Sequence, residues 1–266
     1  MAFTLPDSFG AHVDQSDPIA AAQERGMTAA QFFLGDPQGW KGPQIAYAGG
    51  TAGLKADAAE AGIRLYVHAP YVINVATTNN RIRIPSRKLL QQTVTAAAEI
   101  GAAGVIVHGG HVTKDDDPEV GFENWYKCID RLEAEIPVLI ENTAGGANAM
   151  ARHLDRLGQV WEAIAKADAF DNVGLCLDTC HAHAGGEELV GLVDRVRAIT
   201  GRVDLVHLND SRDAFDSGAD RHANLGQGQA DPDGLRAVVS DAGAPFILET
   251  PGDAAEHRAD LEWLTA

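Results

Sequence analysis

The chain has 266 residues, of which 45% are hydrophobic, enough to build one large α/β core and therefore one domain spanning residues 1–266. Its 38 acidic residues against 21 basic ones leave a formal charge of -17, which ordinarily argues against a polyanionic partner such as DNA. That exclusion weakens if some of the acids hold divalent cations, because about three such ions return roughly six positive charges at one place.

Apolar, β-branched stretches alternate with helical ones from end to end. Strands are predicted near 8–13, 28–34, 64–69, 103–109, 137–142, 173–179, 203–209 and 245–250. Between them lie helical candidates: PIAAAQERG, SRKLLQQTVTAAAEIG, EVGFENWYKCIDRLEAE, ELVGLVDRVRAITG and DPDGLRAVVSDAG. Ser86 is the expected N-cap of a helix over 87–100, with Gly101 as its left-handed C-cap. Asp231 followed by Pro232 starts a helix over 232–242. The GGTAG stretch near residue 50 and the DDDPE stretch near 116 read as surface turns, the latter as a solvated helix start rather than a calcium loop. Eight strands in this alternation predict closure into a (β/α)8 TIM barrel with its active site at the C-terminal face of the strands. SFGAHVDQSDP lacks the Gly-rich phosphate fingerprint that an open doubly wound sheet carries after its first strand.

Six of these segments run from an apolar stretch straight into a side chain that can ligate a metal. They are LYVHAP (His68), GVIVHGG (His108), VLIENT (Glu141), GLCLDTCH (Asp178 and His181), DLVHLND (His207) and FILETP (Glu249); DRH adds Asp220 and His222 from a loop. In such a barrel the strand ends converge on one mouth, so residues far apart in sequence become neighbours. Nine nitrogen and oxygen ligands exceed what one zinc needs, and two or three metals are implied, with Glu141 a natural bridge. A single strand-end histidine is more often structural, but five of the chain's ten histidines fall here together with four carboxylates. A multi-metal centre of this kind acidifies water and clamps the attacking and leaving oxygens of an in-line phosphoester displacement.

His153 and His257 sit in polar helical contexts and read as structural; His12, His111 and His183 fall near the mouth without clear ligand placement, and for them a structural role outweighs a ligand-supporting or substrate-binding one. Asn142 and Asn209 each adjoin a ligand, with a turn role and a ligand-orienting role both open. Cys128, Cys176 and Cys180 lack the spacing of a disulfide framework and Cys176 alternates as a strand-core residue, which fits a reducing cytoplasm. No basic segment followed by an apolar core opens the chain, and no run of about 18 apolar residues occurs, so a soluble, unanchored protein is expected.

HAPYVIN (68–74), LIENTAGG (139–146), CLDTCHAHAGG (176–186), HLNDSRD with DRHANLGQG (207–228) and ILET (247–250) resemble the signatures of the endonuclease IV family, the zinc-dependent apurinic/apyrimidinic endonucleases. GAHV near the N-terminus and QFFLGDPQGW fit as well, so the likeness spans nearly the whole chain. HAPYVIN, RIRIPSRK and VHGGH resemble the actinobacterial type.

The resemblance implies three zinc ions and cleavage of DNA 5′ to an abasic site, leaving a 3′-hydroxyl and a 5′-deoxyribose phosphate. It assigns His68, His108 and Glu141 to one zinc; Glu141, Asp178, His207 and Glu249 to a second; and His181, Asp220 and His222 to a third. Glu141 is the implied catalytic residue. Tyr71 falls where the family inserts an aromatic wedge into the minor groove, and Val72 beside it. Gln38 stands where better-known members carry an arginine, and HGGH shortens another loop by about one residue. A sugar isomerase or epimerase on the same barrel, using one divalent metal, is the rival enzyme class; a metal-stabilised binding protein is the third.

Overall fold

The computed structural model describes residues 4–146 and 148–266. Each predicted strand is present: β1 (Phe9–His12), β2 (Ala29–Phe33), β3 (Arg64–His68), β4 (Val105–His108), β5 (Val138–Glu141), β6 (Val173–Asp178), β7 (Leu205–His207) and, after a short hairpin of β8 (Asp210–Ser211) and β9 (His222–Ala223), β10 (Phe246–Leu248). The eight long strands are all parallel and close in the order β1-β10-β7-β6-β5-β4-β3-β2, the barrel that the alternation predicts.

One side chain from each of seven strands fills the barrel interior: Ala29, Tyr66, Ile106, Leu139, Cys176, Leu205 and Ile247. From β1, Gly10 leaves this space open, since a Cβ there would run into the Ala29 carbonyl. A second, larger apolar layer packs the outer strand faces against the helices. Apolar side chains on both faces explain why the strands read as unbroken apolar runs.

The helices are α1 (Pro18–Arg25), α2 (Gly50–Ala61), α3 (Asn80–Glu99), α4 (Pro118–Ile129), α5 (Leu154–Ile164), α6 (Thr179–Gly185), α7 (Leu192–Thr200), α8 (Pro232–Ala242) and α9 (Ala254–Thr265). Local signals worked well where a cap was explicit. Asp231 accepts the Asp233 N–H at the start of α8, Asp117 accepts the Glu119 N–H at the start of α4, and Gly101 has φ +73.

Two expectations are corrected. GGTAG opens α2 rather than forming a free turn. Ser86 lies inside α3, which begins six residues before it under an Asn79 cap and carries Pro85 in its body. Fully buried, Ser86 takes the N–H of Asn74 on its Oγ at 2.9 Å, so it ties down the loop after β3 instead of starting a helix. Among the described residues, no helix is long and apolar enough to cross a membrane.

Candidate metal centre

Strand ends position the centre. His68, His108, Glu141, Asp178 and His207 are the last residues of β3, β4, β5, β6 and β7, and Glu249 follows β10 directly. The register places them side by side, with His108 paired to Glu141 and Asp178 to His207. His181 stands on α6, whose first turn is capped by Asp178 accepting the His181 N–H at 2.6 Å. His222 opens β9, and Asp220 precedes it in the loop from β8.

All nine residues come together in three groups, two of which share Glu141. Ligand-capable atoms of His68, His108 and Glu141 lie within 4.8 Å of one another; so do those of Glu141, Asp178, His207 and Glu249, and those of His181, Asp220 and His222. Glu141 Oε2 is 3.3 Å from His68 Nε2 and 3.2 Å from His108 Nε2, while its Oε1 is 2.9 Å from His207 Nδ1. Asp220 Oδ1 is 3.1 Å from His181 Nε2 and 3.3 Å from His222 Nε2.

The donor set fits divalent cations. Glu141 is fully buried, yet its Oε2 has no hydrogen-bond partner, and neither does the buried Nε2 of His222. Buried polar atoms are rarely left so, and both of these point into the ligand groups. Zinc bound by imidazole and carboxylate would satisfy them. Cys176 Sγ also comes within the same reach of Glu141 and His207, and Cys180 Sγ of Asp178 and His222. Burial pushes both thiols up to about 12, so without a metal they remain neutral.

Charge in the centre is balanced by protons on the imidazoles. Burial opposes ionisation of Glu141, but His207 and His108 hold it well below the usual carboxylate range. Burial pushes Asp178 up, with His181 and His222 working against it. Burial likewise disfavours the His222 cation, but Asp220 and Asp178 lift it to about 9. A proton on an imidazole nitrogen that faces these carboxylates and a cation would compete for the same lone pair.

Neighbouring side chains orient the ligands. Asn209 Nδ2 donates to Asp178 Oδ2 at 2.7 Å while its Oδ1 accepts the Glu249 N–H, and Asn142 bridges the Asp178 backbone with both ends of its amide. Of the two roles left open for these asparagines, the structure bears out the orienting one. His12 Nδ1 lies 3.6 Å from Glu249 Oε1, and His111 is held by Asn74 on a cleft wall. His183 turns away to the Asp213 carbonyl, and His257 is a buried structural residue bonded to Thr250 O. Sequence reading missed Gln31, a fully buried amide between His207 and Glu249, and Trp40, an exposed aromatic on the rim.

Beside the metal groups opens a cleft of about 660 Å³ whose walls include Trp40, Tyr71, Val72, His108, His111 and Asp220. Tyr71 is 47% exposed and stands edge-on to Phe33 and His68, with ring centroids 5.1 and 5.3 Å away; Val72 behind it is half-buried. Gln38 is exposed on the adjoining loop, which the Tyr71 N–H grips through the Pro37 carbonyl at 2.9 Å.

Residues 19–266 match the family described as xylose isomerase-like TIM barrels. A probable endonuclease 4 from Mycobacterium ulcerans is 56% identical over 251 residues, 94% of either chain. The crystal structure of endonuclease IV from Thermus thermophilus superposes with a TM-score of 0.80 at 28% identity, covering 97% of this chain and 98% of that one. A D-tagatose 3-epimerase-like protein reaches a TM-score of 0.78 at 17% identity over 97% and 95% of the two chains, a likeness of fold alone. With the barrel, the matching length and more than half of its residues in common with such relatives, the chain belongs to the endonuclease IV family of xylose isomerase-like TIM barrels.

Proposed function

We propose that this protein is a zinc-dependent DNA-repair endonuclease that hydrolyses the phosphodiester 5′ to an abasic site, leaving a 3′-hydroxyl and a 5′-deoxyribose phosphate. The observation that carries the reading is the partnerless Oε2 of Glu141, the buried carboxylate that two of the three ligand groups share. In this reading His68, His108 and Glu141 hold one zinc, Glu141, Asp178, His207 and Glu249 a second, and His181, Asp220 and His222 a third. Bound there, the ions supply Lewis-acid polarisation of the phosphoryl oxygens and acidification of water.

The chain's own residues do the rest. Glu141 is shared between two groups through its two oxygens and sets their separation. Tyr71, backed by Val72, enters the minor groove as a wedge and offsets the unstacking of the abasic nucleotide. Gln38 faces the gap this leaves, with a neutral amide where an arginine would add charge. A single domain over residues 1–266, acting as a monomer on duplex DNA in the cytoplasm, completes the proposal; three buried, free thiols agree with a reducing compartment. The one-metal sugar isomerase reading leaves His181, Asp220 and His222 without a task.

A duplex with one tetrahydrofuran abasic analogue tests it. The zinc-loaded protein is expected to cut on the 5′ side of the lesion, with about three zincs per chain by elemental analysis. Glu141→Gln is expected to abolish cutting while leaving the circular dichroism spectrum unchanged. No cutting by the loaded wild type, or one manganese or magnesium per chain, overturns the assignment.

A further inference from the structure

We infer that Gln31 is the positioning residue of the second ligand group: it holds the proton of His207 on Nε2, turns Nδ1 toward the centre, and fixes Glu249 beside it. This deepens the metal-centre reading and rests on it.

The observation begins with how the other histidines are oriented. His68 donates from Nδ1 to the Ala69 carbonyl at 2.7 Å, His181 from Nδ1 to the Asn142 carbonyl at 2.9 Å, and His222 from Nδ1 to the Glu249 carbonyl at 3.2 Å. In each case a main-chain oxygen takes the Nδ1 proton and leaves Nε2 facing the carboxylates. His207 is turned the other way. Its Nδ1 faces Glu141 Oε1 at 2.9 Å and Glu249 Oε2 at 3.3 Å, and its Nε2 meets the side-chain oxygen of Gln31 at 2.7 Å.

The orientation of the Gln31 amide follows from its neighbours. Its Nε2 lies 2.6 Å from Glu249 Oε1 and 3.0 Å from His12 Nδ1. The reverse orientation would set an amide oxygen against a carboxylate oxygen at that same separation, with no proton between them. The amide nitrogen therefore faces Glu249 and the oxygen faces His207. An amide oxygen only accepts, so His207 Nε2 must carry a proton; Nδ1 shares a second one with Glu141 Oε1 until a cation displaces it, and it is then Nδ1 that offers the lone pair. Gln31 is fully buried, so water cannot substitute for either bond.

Three of these four histidines are thus oriented by backbone that no substitution removes, and the fourth by one side chain. In the second group, then, the change of one buried side chain can disorient a histidine without deleting it.

Gln31→Met keeps the side chain's length and removes both hydrogen bonds. By zinc competition against a chromophoric chelator, one zinc equivalent is expected to weaken by about 10- to 100-fold, with the other two within about twofold. Gln31→Glu keeps an acceptor for His207 and should preserve its tautomer while repelling Glu249. Unchanged affinity for every equivalent in Gln31→Met overturns the inference, and so does uniform weakening of all three, which would mark a general loosening of the fold. The imidazole nitrogen spectrum of the wild type decides the matter even if the variant does not fold. Recorded zinc-loaded, it is expected to place the only His207 proton on Nε2, and zinc-free to show a proton on Nε2 beside the one that Nδ1 shares with Glu141; an Nε2 without a proton in either spectrum overturns the inference. A wild type that takes up no zinc refutes the metal reading instead, and the zinc-free spectrum still tests Gln31.

Discussion

Tyr71 combines exposure and rigidity in a way that separates function from stability. Its ring is packed edge-on against Phe33 and His68, but nearly half of its surface is free and faces the cleft rather than the core. Removing it creates no core cavity, so Tyr71→Ala should change stability by less than about 1 kcal/mol. Loss of one base-stacking surface should still reduce abasic-site incision by roughly 10- to 100-fold. Thermal melting and initial rates on the abasic duplex measure the two effects; a drop in melting temperature parallel to the drop in rate would assign Tyr71 to the fold instead. Gln38 is the counterpart on the adjoining loop. Exposed and neutral, it makes a main-chain hydrogen bond to Asp36 but offers no positive charge. In Gln38→Arg one more phosphate or base edge can be met by a guanidinium. Binding at low salt should tighten, and the slope of log K against log salt should steepen by about 0.9. An unchanged slope would mean that the position does not face the phosphodiester backbone.

The hairpin of β8 and β9 shows how an element too short to be stable alone can carry two ligands. Its two-residue strands cannot hold Asp220 and His222 by pairing. Buried Asp210 supplies the rigidity: its Oδ2 accepts the N–H groups of Gly226 and Gly228 and its Oδ1 those of Ser211 and Ala230, all at 2.7–3.0 Å. In Asp210→Asn one end of the side chain becomes a donor facing two backbone donors. That should cost about 2–4 kcal/mol and weaken zinc at the His181, Asp220 and His222 group before the others, as urea unfolding and zinc competition would report. Equal urea midpoints for variant and wild type would remove Asp210 from this role. Neither this hub nor Gln31 is legible in the sequence, for the same physical reason. Gln31 interrupts AAQFF as a surface-facing residue would, and its partners are 176 and 218 residues away. Six of the nine candidate ligands were legible because each ends a run of buried apolar residues, a local pattern that the barrel turns into proximity, whereas His181, Asp220 and His222 were legible only from the DTCH and DRH spacings. Ser86 marks the limit of local reading. A serine after a proline carries the signature of a helix start, and only the fold places it mid-helix under the Asn74 N–H.

At the scale of the whole molecule, protons and cations compete for one buried centre, and the competition sets how stability depends on pH. Without metal, burial disfavours the cation at His181, His207 and His222, but adjoining groups raise all three: Asp178 and Asp220 at His181, the Cys176 sulfur as an acceptor with the Glu249 and Glu141 carboxylates at His207, and Asp220 and Asp178 at His222, which reaches about 9. An imidazole raised above its ordinary value near 6.5 stabilises the fold fully below that pH, and the contribution is lost as pH climbs through the folded value. Glu141, Asp220 and Glu249 are shifted the other way, burial being overcome by the imidazoles, so their contribution is present above about 4.5 and lost as pH falls through their folded values. Asp178, pushed up by burial, opposes them in part. Chelator-stripped protein should therefore be most stable between about pH 4.5 and 6.5 and lose stability steadily from there to about 9. On the proposed reading, bound zinc is expected to replace the imidazole protons and remove that decline. At a free concentration a thousandfold above Kd it adds about 4 kcal/mol, on the order of 10 °C in Tm for a domain of this size. Uptake at pH 7 should release up to about three protons per chain, read by calorimetry in buffers of different ionisation enthalpy. Identical pH profiles for stripped and loaded protein, or zinc uptake without proton release, would mean that the raised histidines do not face the ions.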